Sequence, residues 1–359
     1  MTDRLYFDIY SCVRVYYRYA DCSRCSEVCP SEAVSMQNDK VHVNFQDCVE
    51  CAACVGNCPT ESFRMRGFNP NEFVKTLSRS PENFVSCKLN VPCLSSLDSQ
   101  HLATIVINRQ SDIVLDMAHC KECQINRQVK VIQENVEEAN YLLSSSGIDH
   151  RVLMEEVGYL PQQKSESSRR SILKLFAKKT AALAFWAIED KLPIPPQPQE
   201  REAEFKNIVS EKVIPQKRVK LIQGLSTLED KEGSFDVSKI RFTSDKWIGN
   251  SCTNCGICGN ICPTGAISNS DDRMKILFNP SICIKCKICH DVCPEKCLHL
   301  EERLSVKDFT ENRYKVLASH VMVSCSECLV PFSYKGDSTV CPRCKKLEDE
   351  LKDLLKIGD

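Results

Sequence analysis

Cysteine recurs along this chain at short, fixed intervals, and that spacing is the feature that most limits what the chain can fold into. Two runs in the second half follow the pattern C-x2-C-x2-C-x3-C-P, over residues 252–263 and 283–294. Gaps of two residues let one tight loop present three thiolates to a common point, and the proline suits the first turn of a helix that starts at the fourth cysteine. Zinc sites use pairs of cysteines that lie further apart. The two runs therefore predict bound iron–sulfur clusters.

The composition limits where such a chain can work. It has 25 cysteines in 359 residues, and its first residues are charged where the apolar part of a signal peptide would lie. Clustered thiols without a signal peptide predict metal sites in a reducing cytoplasm rather than disulfides. Lys and Arg number 47 against 48 Asp and Glu, so no nucleic-acid partner is expected. The longest apolar run, Ala181 to Ile188, is too short for a transmembrane helix.

The first half of the chain carries a similar pair of runs with one departure. Residues 48–59 are regular, but the partner run over residues 22–30 has Tyr19 where its first cysteine belongs. Cys12 is the nearest replacement, across a gap of nine residues from Val13 to Asp21 that a loop can close at modest entropic cost. The alternatives are a three-iron cluster or a ligand other than cysteine. The insert itself is expected to be a surface loop or, alternatively, a docking edge for a redox partner.

These runs resemble those of bacterial-type two-cluster ferredoxins, most fully over about residues 241–300. In that family the fourth cysteine of each run ligates the cluster of the other run. The resemblance therefore implies two [4Fe–4S] clusters in each half of the chain. Site 1 would use Cys12, Cys22, Cys25 and Cys58, and site 2 would use Cys29, Cys48, Cys51 and Cys54. Site 3 would use Cys262, Cys283, Cys286 and Cys289, and site 4 would use Cys252, Cys255, Cys258 and Cys293.

Four more cysteines lie between the two halves, in a segment that alternates strand and helix patterns. The strand-like runs are 83–87, 112–117 and 150–155, and the helical runs between them are 97–109 and 128–143, which predicts a small parallel βαβαβ domain. Cysteines follow the first two strands, and parallel strands place their carboxyl ends at one edge of a sheet. This middle site consists of Cys87, Cys93, Cys120 and Cys123. It predicts a fifth [4Fe–4S] cluster, with a [2Fe–2S] cluster, zinc or plain thiols as alternatives.

The remaining segments predict a connector and a second type of metal site. A basic amphipathic helix over Ser168–Asp190 and a stiff spacer over Pro193–Pro198 indicate a linker that packs on its own protein, on a partner subunit or on a membrane surface. Two C-x2-C knuckles near the end resemble those of zinc ribbons and rubredoxin-like domains, and a charged helix over Lys345–Ile357 follows. The tail site consists of Cys325, Cys328, Cys341 and Cys344, and predicts structural zinc or, alternatively, a single iron. Cys297 is expected to be a plain thiol.

The sequence thus predicts an α+β multidomain chain with two dicluster ferredoxin modules, the βαβαβ domain between them and a zinc ribbon. The expected boundaries are 1–70, 71–157, 158–240, 241–305 and 306–359. The sequence contains neither a nucleophile motif nor a phosphate-binding glycine loop, so these signs of catalysis are missing from it. The expected function is therefore relay of low-potential electrons within an anaerobic multisubunit oxidoreductase, with catalytic and redox subunits and a soluble ferredoxin as partners. The alternatives are an enzyme subunit with an open iron at the middle site, and a scaffold or maturation factor with structural clusters.

Overall fold

A computed structural model describes residues 4–158, 212–228 and 232–356. The helix expected over Ser168–Asp190 and the spacer Pro193–Pro198 lie outside the described residues. Within the described residues, none of the helices combines the length and the apolar character needed to span a membrane.

The N-terminal module is built from short elements joined by tight turns. The turn between its second and third strands is Asn38–Asp39, and both residues have positive φ (49° and 61°), as a two-residue type I′ hairpin requires. Antiparallel pairing joins the first strand to the fourth and the second to the third. The elements are β1 (Leu5–Phe7), α1 (Val13–Tyr16), α2 (Arg24–Glu27), β2 (Val34–Gln37), β3 (Lys40–Val43), α3 (Ala53–Asn57) and β4 (Phe63–Met65).

A three-stranded parallel sheet with its helices follows. The elements are α4 (Pro70–Arg79), β5 (Phe84–Val85), α5 (Ser99–Arg109), β6 (Ile113–Asp116), α6 (Gln128–Ser145) and β7 (Val152–Glu155). The strand order is β5-β6-β7. Asp98 caps α5 by accepting from the backbone N–H groups of Gln100 and His101. The residues of α5 from Ser99 to Ile107 are all buried, because helices pack on this segment from several sides.

One of those helices is α7 (Gln216–Ser226), which comes from the segment that composition alone predicts to be a linker. Its Leu221 and Leu225 are fully buried in the core of the middle domain. The following strand, β8 (Ser234–Asp236), also buries its Phe235 there. The segments 216–226 and 234–240 therefore contribute side chains to the core of the middle domain, which differs from the expected boundary at residue 240.

The C-terminal module repeats the architecture of the N-terminal one. Its elements are β9 (Lys246–Ile248), α8 (Ile257–Ile261), β10 (Ile267–Asn269), β11 (Lys275–Phe278), α9 (Ile288–Asp291) and β12 (Leu298–Leu300). Strand β9 pairs with β12, and β10 pairs with β11, both antiparallel.

The tail is attached to this module rather than separate from it. Its elements are β13 (Arg303–Ser305), α10 (Val306–Thr310), β14 (Lys315–Ser319), β15 (Val321–Ser324), β16 (Pro331–Tyr334) and α11 (Pro342–Lys356). Strand β13 pairs with β8, and β14 adds a third strand to β10–β11. The hairpin β15–β16 follows directly, and the Nζ of Lys335 donates to the carbonyl of Asn250 at 2.8 Å.

Two of the contacts between the parts of the chain bear on the sites. In the first, Gly56 of α3 touches the middle domain so closely that a Cβ there would lie 1.9 Å from the carbonyl oxygen of Ser96. In the second, Val13 and Ala20 of the insert are buried against Ile284 and Ile288 of the C-terminal module. The insert therefore docks on the chain's own second module, which differs from both the surface loop and the partner-docking edge that the sequence predicts.

Candidate metal centres

The structure brings the thiols of site 1 together, including Cys12 across its long gap. Burial and the neighbouring Cys58 and Cys12 sulfurs raise the pKa of Cys22 to about 12. Burial and Cys58 also raise the pKa of Cys12. The α1 turn and the burial of Val13 return the chain to the same point, as the loop-closure argument requires.

Site 2 lies in the same module. Burial and the neighbouring Cys51, Cys29 and Cys48 sulfurs raise the pKa of Cys54 well above its usual range. The backbone N–H of Val34 also donates to the Sγ of Cys29 at 3.4 Å. Closely grouped sulfurs that accept from backbone N–H groups are suited to hold an anionic cluster through thiolates.

The three regular cysteine runs share a backbone signature. In each run the residues two and four positions after the first cysteine have left-handed φ values. These residues are Glu50 and Ala52, Asn254 and Gly256, and Lys285 and Lys287. Alternation of this kind turns successive N–H groups toward one point and makes a concave site for anions. Among these six positions, the glycine at position 256 is the residue type that most directly indicates a left-handed backbone.

The C-terminal module places Cys262 with three thiols of the other run, as the crossed arrangement requires for site 3. The four sulfur-bearing residues of site 3 line one small cavity of about 20 Å³ together with Lys246. In site 4, burial and nearby Cys289, Cys255 and Cys252 raise the pKa of Cys258 to about 12. Cys297 was expected to be a plain thiol, but its Sγ lies 3.5 Å from that of Cys293.

The four thiols of the middle site also meet, at the carboxyl ends of β5 and β6. Burial and the neighbouring Cys93, Cys87 and Cys123 sulfurs raise the pKa of Cys120 to about 12. The hydroxyl of Ser95 donates to the Sγ of Cys93 at 3.3 Å. Cys123 is exposed, whereas the other three are partly buried. The site therefore opens to solvent on one side.

The tail site has a different geometry. Its four Sγ atoms lie within 4.8 Å of one another. In the described part of the chain, no other group of three or more His, Cys, Asp or Glu side chains brings its ligand atoms this close together. Tetrahedral zinc with Zn–S bonds of about 2.3 Å needs sulfurs about 3.8 Å apart. Backbone N–H groups of Cys328 and Cys341 lower the pKa of Cys325 to about 6, which favours the thiolate.

Neighbouring sites meet at the contacts between domains. Cys51 of site 2 and Cys93 of the middle site lie in one apolar cluster with Val28, Ala53 and Val131. Cys22 of site 1 and Cys286 of site 3 lie in another, the one that joins the two modules. The sites are therefore arranged in the order middle, 2, 1, 3, 4.

Two buried cations that the sequence analysis did not single out stand beside site 3. The Nζ of Lys246 lies 3.0 Å from the Nε2 of His290, whose Nδ1 lies 3.0 Å from the carbonyl of Leu298. Burial and the Lys246 ammonium lower the pKa of His290 to about 4. Arg218 donates to the carbonyls of Cys283 (2.7 Å) and Ser281 (2.9 Å). Lys246 and Arg218 lie near the thiols because segments that are distant in sequence pack together.

Comparison with known proteins gives the same result for both modules. A 4Fe-4S dicluster domain family matches residues 20–63 and 251–298. A ferredoxin of Methanothermococcus thermolithotrophicus is 38% identical over 47 residues, which are 13% of this chain and 78% of that protein. The chain belongs to the 4Fe-4S ferredoxin family. A 7Fe ferredoxin of Hydrogenibacillus schlegelii is 27% identical over 60 residues, which are 17% of this chain and 77% of that protein. No solved structure matches the chain.

As a member of this family, the chain carries ferredoxin-like 4Fe-4S domains, and these support iron–sulfur electron transfer. The residues fit the group: the grouped side chains are thiols, and N–H groups point at their sulfurs. The family match covers both modules and leaves the middle domain and the tail outside it.

Proposed function

We propose that this chain relays single electrons along a line of four or five [4Fe–4S] clusters inside a multisubunit oxidoreductase of an anaerobic cytoplasm. The observation that carries the proposal is that cysteines of different sites share one apolar cluster at each of the two domain junctions. When bound, such clusters accept and release one electron at a time. The protein's part is to hold the thiolates, exclude water from the junctions and keep neighbouring sites close.

The cysteines proposed as ligands are those of sites 1 to 4, with Cys12 completing site 1. The burial of Cys12 beside Cys22 and Cys58 supports a thiolate ligand over a three-iron site. All four ligands of each site are then thiolates. Because no iron is left open for a substrate, this favours a carrier over a catalyst.

A fifth cluster is proposed at the middle site. Its four thiols converge, but they are not gathered within the 4.8 Å that characterises the tail site among the described residues. A cubane needs the wider spacing because four irons and four sulfides separate its thiolates, whereas zinc needs the narrow one. The same comparison supports zinc, or a single iron, in the tail.

The ends of the line are proposed as the points of exchange with partners. Cys123 of the middle site and Cys255 of site 4 are exposed, whereas the thiols at the two junctions are buried or partly buried. Electrons cross protein surfaces most readily where the carrier is near solvent. Donor and acceptor subunits, or a soluble ferredoxin, would therefore dock at opposite ends.

The first experiment is a count of iron, acid-labile sulfide and zinc per chain in protein purified without air. Five cubanes give about twenty iron and twenty sulfide, and four give about sixteen of each. One zinc is expected in addition. A double substitution, Cys87→Ser with Cys93→Ser, should remove about four iron from the higher count and leave zinc unchanged. A fully loaded chain with about eight iron would overturn the proposal.

A second experiment tests relay itself. Chemically reduced chain is mixed with an oxidised small ferredoxin under anaerobic conditions, and bleaching is followed in the millisecond range. Rapid and complete reoxidation is expected of a carrier. Clusters that stay reduced, or that reoxidise only with loss of iron, would instead favour a structural role in a scaffold.

A further inference from the structure

Two cationic side chains that lie almost fully out of solvent stand beside site 3. Lys246 is 3% exposed and Arg218 is 1% exposed, so both charges are withdrawn from water. Lys246 lines the cavity enclosed by the site 3 cysteines. The guanidinium of Arg218 donates to the carbonyl of Cys283, one of those cysteines. Two buried positive charges thus face one group of thiols.

Neither cation is neutralised by an acidic side chain at hydrogen-bond distance among the described residues. The Nδ1 of His290 must carry the proton, because the carbonyl of Leu298 can only accept, so Nε2 accepts from Lys246. Arg218 donates to Gln100 Oε1 and to the carbonyls of Ser281, Cys283 and Phe242, all neutral acceptors. Buried charges without a neutralising partner are costly. Asp98 and Glu138 act on Arg218 from beyond hydrogen-bond distance, and Cys283 of site 3 acts on it as well. Thiolates at site 3 would therefore supply negative charge beside both cations.

The cations near site 1 provide a contrast within the same protein, because each is either only partly buried or ion-paired. Arg14, which donates to the carbonyl of Cys22 at 3.1 Å, is only partly buried. Arg24, which follows Cys22 closely in the chain, forms ion pairs with Glu27 at 3.7 Å and Glu134 at 3.6 Å. Arg241, on the same cavity, pairs with Glu134 and Glu138. Neighbouring carboxylates therefore largely neutralise the charges of Arg24 and Arg241, which weakens their effect on the thiols of site 1.

Adding an electron makes a thiolate-bound cluster more negative, so a nearby buried cation favours the reduced form and raises the reduction potential. The low polarity of the surroundings leaves this effect poorly screened. We propose that site 3 holds the highest-potential cluster of the chain and is where the first electron comes to rest, because Lys246 and Arg218 face it. The inference rests on the proposed function. It places an electron store in the interior of the line, next to the junction with site 1.

The test is an anaerobic redox titration of the full, cluster-loaded chain followed by electron paramagnetic resonance. The first signal to be reduced is assigned by Cys286→Ser, which should change its line shape or abolish it. A first signal that is unaffected by Cys286→Ser would overturn the proposal, whatever the other variants do.

The electrostatic cause is tested by Lys246→Met, which keeps the length of the side chain and removes its charge. At fixed ambient potential the reduced-to-oxidised ratio of the first signal should fall at least tenfold, which is about 59 mV for one electron. Lys275→Met is the matched control, since Lys275 is an exposed lysine of the same module and its removal changes the net charge equally. It should shift the ratio less than twofold.

A shift below twofold in Lys246→Met, or an equal shift in the control, would refute the role of Lys246. Should Lys246→Met lose its iron, Lys246→Gln and the Cys286→Ser assignment decide the question. Failure of this inference is distinguishable from failure of the proposed function. A chain with four or five reducible clusters whose first electron rests elsewhere would sink only the inference, whereas a low iron count would remove the carrier function itself.

Discussion

Lys217 is the residue whose removal should most weaken the union of the N-terminal module and the middle domain. It lies in α7, is 1% exposed, and its Nζ donates to Asp98 Oδ2 at 2.7 Å and to the carbonyl of Gly56 at 2.8 Å. A single ammonium thus ties together three segments that are distant in sequence. Although burial alone would raise the pKa of Asp98, the Lys217 ammonium holds it well below its usual range.

Lys217→Met should destabilise the protein by about 3 kcal/mol. Breaking a buried ion pair costs about 3–5 kcal/mol, because the remaining charge loses its partner. Asp98 keeps the N–H groups of Gln100 and His101 as donors, which places the cost near the lower end. The carbonyl of Gly56 loses its ammonium donor as well.

Anaerobic urea unfolding, followed by circular dichroism at one incubation time, measures the effect. With a slope of about 3 kcal/mol per molar, the midpoint should fall by about 1 M. Lys220→Met is the control on the same helix: Lys220 makes one bond to the carbonyl of Asn71 at 3.1 Å and should cost about 1 kcal/mol. Equal midpoints for wild type and Lys217→Met would refute the reasoning. So would a control that is destabilised as much as Lys217→Met.

Four further outcomes are expected. Because the lowered pKa of Asp98 stabilises the fold above its unfolded pKa, the difference between wild type and Lys217→Met should be complete above about pH 5 and shrink below about pH 4 in urea midpoints. Gly56→Ala should cost at least about 3 kcal/mol in the same assay, since its Cβ would meet the backbone of Ser96, whereas Gly249→Ala, with 3.7 Å of clearance, should be tolerated. Cys12→Ala should lower the iron count, while Cys297→Ala should leave it unchanged; the reverse result would reassign these two thiols. Cys341→Ser should release the zinc proposed for the tail without changing iron, and an unchanged zinc content would remove the zinc assignment.

Features that depend on short stretches of chain could be predicted from the amino-acid sequence. Spacing within a run decides which thiols one loop can present, so the regular runs and the pair of ferredoxin modules could be predicted from residues 48–59, 252–263 and 283–294. The strand and helix periodicity of the middle segment likewise predicted its three parallel strands, because each element follows a local pattern.

The contacts between the modules could be learned only from the folded structure. The burial of Lys217 and Arg218 was not predictable, because a lysine- and arginine-bearing helix indicates a solvated surface until acceptors from distant segments surround it. The docking of the insert on Ile284 and Ile288, and the meeting of Cys51 with Cys93, depend on packing across long sequence separations. Local patterns carry no information about such contacts, since many arrangements of the same elements satisfy them equally well. The order of the sites and the charge beside site 3 arise only when the chain has packed.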